Sequence, residues 1–285
     1  FTGRFFEALA RQAGHEVVAL QSDLTDSETL IAEVLAVEPE AVVHLAGIAF
    51  VGHAHEEAFY NVNVVGTTNL LDSLTKLPTA PRVVLLASSA NIYGNCEQSP
   101  IVEEQSPAPV NHYAMSKLAM ELMARTYSSK LNIVITRPFN YTGPGQDEAF
   151  VIPKLAKHFA LKKPVVELGN LHVEREFNDV RMVCDAYLHL LEIGEPGETY
   201  NVCSGRPYDL QAVIGTFSRL SGHQIKTVVN PAFVRSNELV RLCGSPAKLD
   251  ALLVRHGQSI EMPTLEDTLQ QMLVAAEARA VASAA

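Results

Sequence analysis

The sequence predicts an α/β fold in which a doubly wound parallel sheet carries a smaller, mixed C-terminal lobe. Two observations predict it. Short apolar runs at 41–45, 82–87 and 133–138 alternate with longer helical stretches, and each run is solid rather than alternating. A strand reads that way when helices cover both faces of its sheet. After Asn140 the rhythm breaks into short strands and helices in irregular order. With 285 residues, 47% of them hydrophobic, the chain can bury the core this plan requires.

Residues 4–13 read as an amphipathic helix ended by Gly14, and 16–20 (Glu-Val-Val-Ala-Leu) as a buried strand. In a Rossmann-type, dinucleotide-binding sheet, the helix ahead of that strand follows a first strand and a glycine-rich turn. Gly3 is then expected to be the last glycine of that turn. Asp23-Leu24-Thr25-Asp26 caps a helix over 27–38. The strand 41–45 runs into His44-Leu45-Ala46-Gly47, whose small residues let backbone pass close to a ligand. A long helix over 55–77 carries Asn61, Asn63 and Gly66, the strand 82–87 closes on Ser88-Ser89, a helix spans 113–130, and a strand spans 133–138. Ligands of such sheets bind outside the carboxyl ends of the strands, so Ala46-Gly47, Ser88-Ser89 and Asn140 should converge on one edge.

Further on, helices are expected at 151–161, 180–193, 210–221 and 265–280, and strands at 165–168, around Phe177 and at 200–202. The expected division is a dinucleotide-binding domain over 1–145, with returning segments near 177–205, and a mainly substrate-binding lobe over 146–285. The alanine-rich end is expected to fray.

Lys and Arg number 22 against 32 Asp and Glu, a formal charge of −10. That balance argues against charge-driven binding of nucleic acid or anionic membrane, so an anionic ligand must be met by a few placed cations and amides. Cys96, Cys184, Cys203 and Cys243 form no Cys-x-x-Cys pair and read as reduced thiols of a cytoplasmic protein. The apolar runs fall far short of the ~20 residues of a spanning helix, and no metal-ligand spacing stands out.

The chemistry-bearing stretch is Tyr113-x-x-x-Lys117. Four residues apart on a helix, the two side chains stand one turn apart on nearly the same face. A free phenol has a pKa of about 10, and a neighbouring ammonium favours its ionised form, which suits acid/base work. Met115, Leu118, Ala119, Leu122 and Met123 read as the apolar stripe of this helix, with Tyr113 and Lys117 opposite it.

Gly3, the 23–26 turn, His44-Leu45-Ala46-Gly47, Asn63, Ser88-Ser89-Ala90-Asn91-Ile92-Tyr93-Gly94, Tyr113-x-x-x-Lys117 and Arg137-Pro138-Phe139-Asn140 together resemble the extended short-chain dehydrogenase/reductases. These are the nucleotide-sugar epimerases, dehydratases and reductases. The resemblance implies Tyr113 as general acid/base, Lys117 as its tuner and ribose partner, and Ser89 as the hydrogen-bonding partner of the reacting oxygen. It places Gly3, Arg4, Asp23, Leu24, Leu45, Ala46, Gly47 and Asn63 around the cofactor. Ser89, Asn91, Asn140, Lys157, Arg175, Arg235 and Glu238 become the candidates for holding a nucleotide-diphosphate sugar. A homodimer through the helices 55–77 and 113–130 is implied as well.

Within the family, Ala90 and Asn91 stand where dehydratases carry acids, and Asn91 and Phe150 stand where the bifunctional fucose synthases carry Cys and His. That leaves carbonyl reduction or 4-epimerisation. Arg137-Pro-Phe-Asn-Tyr-Thr-Gly-Pro-Gly145, Arg175-Glu-Phe-Asn-Asp179 and Tyr200-Asn-Val-Cys-Ser-Gly205 look most like the GDP-4-keto-6-deoxy-D-mannose reductases, which make GDP-D-rhamnose. A 4-epimerase with retained NAD and a non-catalytic dinucleotide sensor are the alternatives. Gln21 and Ser22 follow the 16–20 run without a carboxylate for the ribose, and Arg4 could meet a 2′-phosphate, so the expected cofactor is NADP(H) ahead of NAD(H).

Overall fold

The solid apolar runs form the middle of a parallel sheet in the computed structural model, which describes residues 1–49, 55–234 and 239–284. In chain order come α1 (Thr2–Gln12), α2 (Ser27–Val37), β1 (Ala41–His44), α3 (Glu56–Tyr60), a π-helical turn (Asn61–Gly66), α4 (Thr67–Leu74), β2 (Val83–Ala87), a 3-10 turn (Ala90–Tyr93), α5 (His112–Arg125) and β3 (Ile133–Pro138). The remainder is β4 (Tyr141–Thr142), α6 (Val151–Ala160), β5 (Val165–Leu168), β6 (Glu174–Arg175), β7 (Asn178–Asp179), α7 (Val180–Ile193), β8 (Thr199–Val202), β9 (Tyr208–Asp209), α8 (Leu210–Ser221), β10 (Lys226–Val229), a second 3-10 turn (Pro231–Phe233), β11 (Arg241–Leu242), α9 (Ala247–Arg255) and α10 (Leu265–Ala284).

The main sheet has the order β1-β2-β3-β8, all parallel. Its pleat explains the solid runs. Val83, Leu85 and Ala87 of β2 face a core shared with Phe6 and Ala10 of α1, Val183 and Tyr187 of α7 and Leu252 of α9. Val84 and Leu86 face the opposite core, with Leu30 and Val34 of α2, Leu71 and Leu74 of α4 and Met120 of α5. Both faces of β2 are dry, and all five of its residues are apolar.

The second lobe is built from small sheets, β10-β5, β11-β6-β9 and β4-β7, with α6, α8 and α10 closing over Leu155, Phe159, Phe217 and Leu269. Phe159 and Phe217 stack with centroids 5.4 Å apart.

Two expectations fail. Residues 16–20 form no strand and make no ladder among the described residues, and Val18 is 53% exposed. A strand exists by pairing, and β1, the nearest edge of the main sheet, pairs with β2 alone. The helix expected over 55–77 is not uniform, because its middle winds into the π turn that carries Asn63. The strands β9, β10 and β11 and the helix α9 carry too weak a periodicity to stand out in the sequence.

Candidate active site

Asn111 starts α5 by accepting the Ala114 N–H at 2.9 Å. The face the helix then buries is Tyr113, Ala114, Ser116, Lys117, Met120, Glu121 and Ala124. The expected apolar stripe is therefore on the wrong side: Met115 and Leu122 are 42% and 56% exposed. Polar side chains go inward here because each finds a partner. Glu121 accepts from Nε and Nη2 of Arg137 at 3.0 and 2.7 Å. Ser116 donates to the Tyr113 carbonyl at 2.8 Å and accepts from Asn63 Nδ2 at 3.0 Å.

Asn63 sits in the π turn, fully buried, and its Oδ1 accepts the Ile48 N–H at 3.0 Å. It thus ties the loop after β1 to α5. Lys117 donates from Nζ to the Ala87 carbonyl at the end of β2, at 2.7 Å. Gly47 completes the group: a Cβ there would lie 2.8 Å from Asn63 Oδ1 and 3.3 Å from Lys117 Nζ. Only glycine fits such an approach.

Ser89 caps the 3-10 turn after β2, accepting from the Asn91 N–H at 3.2 Å and from Asn91 Nδ2 at 3.1 Å. Gly94 ends that turn at φ +65°, where a Cβ would lie 1.9 Å from the Ala108 carbonyl oxygen. The turn is pinned, and with it the Ser89 hydroxyl, which lies near enough to the Tyr113 phenol to favour its ionised form. Phe59 packs against the Tyr113 ring at 6.0 Å.

Burial pushes the Tyr113 phenol up to about 12, against the Ser89 hydrogen bond that holds it down. Burial brings the Lys117 ammonium down to about 8, with Glu121 opposing. Desolvation of the phenolate is the largest influence on this group. Tyr113 is a protonated acid at neutral pH. His44, on β1, is pushed down to about 3 by burial and the Lys117 charge. Its Nε2 meets Thr67 Oγ1 at 2.9 Å, and that hydroxyl donates its one proton to the Asn63 carbonyl, so Nε2 carries the ring proton.

The other candidates scatter. Thr2 Oγ1 lies 2.9 Å from the Tyr141 hydroxyl, which brings Gly3 at the start of α1 beside β4, and Arg4 is exposed and donates to the Gly145 carbonyl at 3.4 Å. Asp23 is exposed and closes its own turn on Thr25, while Leu24 packs on Gly66. Leu45 is half-buried, and Ala46 and Gly47 are exposed. Asn140 is exposed beside β7, and its carbonyl accepts the Asn178 N–H at 2.9 Å. Arg175 is buried and donates to the Glu174 and Leu239 carbonyls. Lys157 points to solvent, ion-paired with Glu148. Arg235 and Glu238 lie outside the described residues.

Two features were missed by sequence reasoning. Arg137 Nη1 also bonds the Tyr93 hydroxyl at 2.9 Å, and Tyr93 donates to Asn201 Oδ1 at 2.8 Å, so the Glu121–Arg137 pair anchors a network under the site. The Glu33 carboxylate accepts the Gln21 and Ser22 N–H groups at 2.8 and 2.9 Å, placing a charge where the sequence showed none. Neither could be found by local spacing.

A dinucleotide fits this edge on the chain's own atoms. Ala46 and Gly47 leave the carboxyl end of β1 open beside Lys117, and Ser88 Oγ, at the end of β2, is buried without a hydrogen-bond partner among the described residues. Among those residues no group of three or more His, Cys, Asp or Glu could hold a metal, and no helix is long and apolar enough to cross a membrane.

Residues 1–203 match the model of the NAD dependent epimerase/dehydratase family. The chain belongs to this family. It is 35% identical over 250 residues to the GDP-6-deoxy-D-talose 4-dehydrogenase of Aggregatibacter actinomycetemcomitans, covering 88% of this chain and 84% of that one. It is 37% identical over 222 residues to the GDP-6-deoxy-D-mannose reductase of Pseudomonas aeruginosa, covering 74% and 73%. The solved structure of RMD from Pseudomonas aeruginosa complexed with NADPH superposes with a TM-score of 0.88 at 32% identity, over 98% of this chain and 96% of that one. The protein is an NAD(P)-dependent oxidoreductase of the nucleotide-sugar class.

Proposed function

We propose that the protein reduces the C4 keto group of GDP-4-dehydro-6-deoxy-D-mannose to give GDP-D-rhamnose. The observation that carries this reading is the gathering of Ser89, the buried Tyr113 phenol and Lys117 at the carboxyl end of β2, with the phenol kept as an acid. When bound, the reduced dinucleotide supplies the hydride that C4 takes up. Tyr113 gives its proton to the C4 oxygen, so the carbonyl becomes a secondary alcohol and the oxidised dinucleotide leaves. Ser89 steadies the negative charge that gathers on that oxygen. Lys117 and Tyr113 would hold the nicotinamide ribose, with Gly3, Arg4, Asp23, Leu24, Leu45, Ala46, Gly47 and Asn63 framing the rest. Asn140 and Arg175 would contact the nucleotide-diphosphate sugar, and residues 146–285 would be mainly the substrate lobe.

NADPH is the preferred reductant, supported by the exposed Arg4 and by the NADPH held in the Pseudomonas structure. Glu33 over the Gln21 and Ser22 amides weighs for NADH, so both belong in the assay. GDP-6-deoxy-D-talose, the C4 epimer, is the second reading, favoured by the similarity to the Aggregatibacter enzyme. Exposed Val65, Met115 and Leu122, on the π turn and α5, support a homodimer through these helices.

The test is nicotinamide absorbance after mixing full-length protein with NADPH or NADH and the keto sugar, with the product identified by NMR. Stoichiometric oxidation is expected. No oxidation, with NAD already bound to the purified protein, would replace the reductase by a 4-epimerase.

A further inference from the structure

Ser89 has one proton to give and two lone pairs to fill. Both acceptor positions are taken by one neighbour: the Asn91 backbone N–H at 3.2 Å and its side-chain Nδ2 at 3.1 Å. The turn that presents these donors is fixed at both ends. Ile92 N–H bonds back to the Ser89 carbonyl at 3.3 Å, and the Ala108 N–H holds the Ile92 carbonyl at 2.9 Å. Ser89 itself is 4% exposed, so water has little room to compete. What is left to the hydroxyl is its O–H, and the Tyr113 phenol is the neighbouring group whose ionised form it favours.

We propose that Asn91 is a positioning residue that makes Ser89 an obligate hydrogen-bond donor, aiming its only proton at the oxygen that Tyr113 protonates. This rests on the reductase reading and deepens it. A donor held in place before the reaction stabilises developing alkoxide charge without reorganising, and a hydroxyl free to rotate does not. The carboxamide is the functional group this task requires. An ionised carboxylate at position 91 only accepts, so it would turn the Ser89 proton away from the substrate. Asn91 therefore acts through Ser89 rather than by gripping the sugar.

The test is a mutant cycle on the full chain with NADPH and GDP-4-keto-6-deoxy-D-mannose. Asn91→Asp is expected to lower kcat roughly 10²-fold at pH 8, the loss typical of a missing oxyanion donor, with KM little changed. Activity should recover as pH falls toward 5 and the carboxyl takes a proton. Asn91→Ala keeps the backbone donor and should lose less. In a Ser89→Ala background Asn91→Asp should add nothing. A second readout needs no turnover: in the dead-end complex with oxidised dinucleotide, difference infrared should show the C4 carbonyl stretch lowered in the parent and released equally by Ser89→Ala and Asn91→Asp. A pH-independent loss in Asn91→Asp, an additive loss on top of Ser89→Ala, or an unchanged carbonyl stretch in Asn91→Asp would overturn the proposal alone. A Ser89→Ala variant with parental kcat would overturn the reductase reading beneath it.

Discussion

Replacing Glu121 by Gln tests whether the buried ion pair under the site is structural in the way its geometry implies. The Glu121 carboxylate and Arg137 guanidinium are 1% and 4% exposed and share two N–H···O bonds at 3.0 and 2.7 Å. Glutamine keeps the shape, but its NH₂ would face a guanidinium N–H, donor against donor, and Arg137 would be left charged in a dry site. Breaking a buried pair from one side costs about 3–5 kcal/mol. With a urea m-value of about 3 kcal/mol/M, the unfolding midpoint should fall by roughly 1–1.7 M, read by circular dichroism. The double variant Glu121→Leu/Arg137→Met removes both charges, and Tyr93 keeps Asn201 as its partner. It should cost less than Glu121→Gln alone. A Glu121→Gln unfolding free energy within about 0.5 kcal/mol of the parent's would refute this account, which is built on a desolvated guanidinium.

Tyr113→Phe should lower kcat by about 10²–10⁴-fold while sugar-nucleotide affinity by calorimetry stays near the parent's; lost binding with parental turnover would contradict the assignment. Because Lys117 is brought down to about 8, kcat/KM should fall as pH rises through that value, and Lys117→Arg, charged throughout, should lack that limb; a parental limb near 10 would argue against it. His44 is held at about 3 against an ordinary 6.5, so the unfolded chain binds a proton the folded one refuses. Stability from this group is complete above pH 6.5 and is lost as pH falls toward 3, by about 4–5 kcal/mol in all. His44→Gln should flatten that part of an acid denaturation series, and an unchanged slope would count against the neutral, buried ring.

The legible parts of the fold are those whose cause is local. Runs such as 83–87 declare a strand because both of their faces are dry, and helices such as Val180–Ile193 and Leu210–Ser221 carry their own caps at Asp179 and Asp209. The Tyr113–Lys117 spacing declares two side chains on one helical face. What stayed hidden depends on partners distant in the chain. Residues 16–20 look like a strand by composition but pair with no strand among the described residues. Met115 and Leu122 look like core because hydrophobicity was weighed without Arg137 and Asn63, which pull Glu121 and Ser116 inward instead. Ser89's double acceptance from Asn91 likewise needed the 3-10 turn, which no periodicity announces.

The π turn at Asn61–Gly66 has a bearing on how this scaffold can change over time. Its wider winding shifts the phase of the helix, so Phe59 upstream meets the Tyr113 ring while Leu70, Leu71 and Leu74 downstream meet the sheet. The two halves of one rod thus answer to separate neighbours, one facing the reacting groups and one facing the oily interior. A substitution at Leu70, Leu71 or Leu74 therefore changes what the sheet is packed against, and one at Phe59 changes what the reacting phenol is packed against.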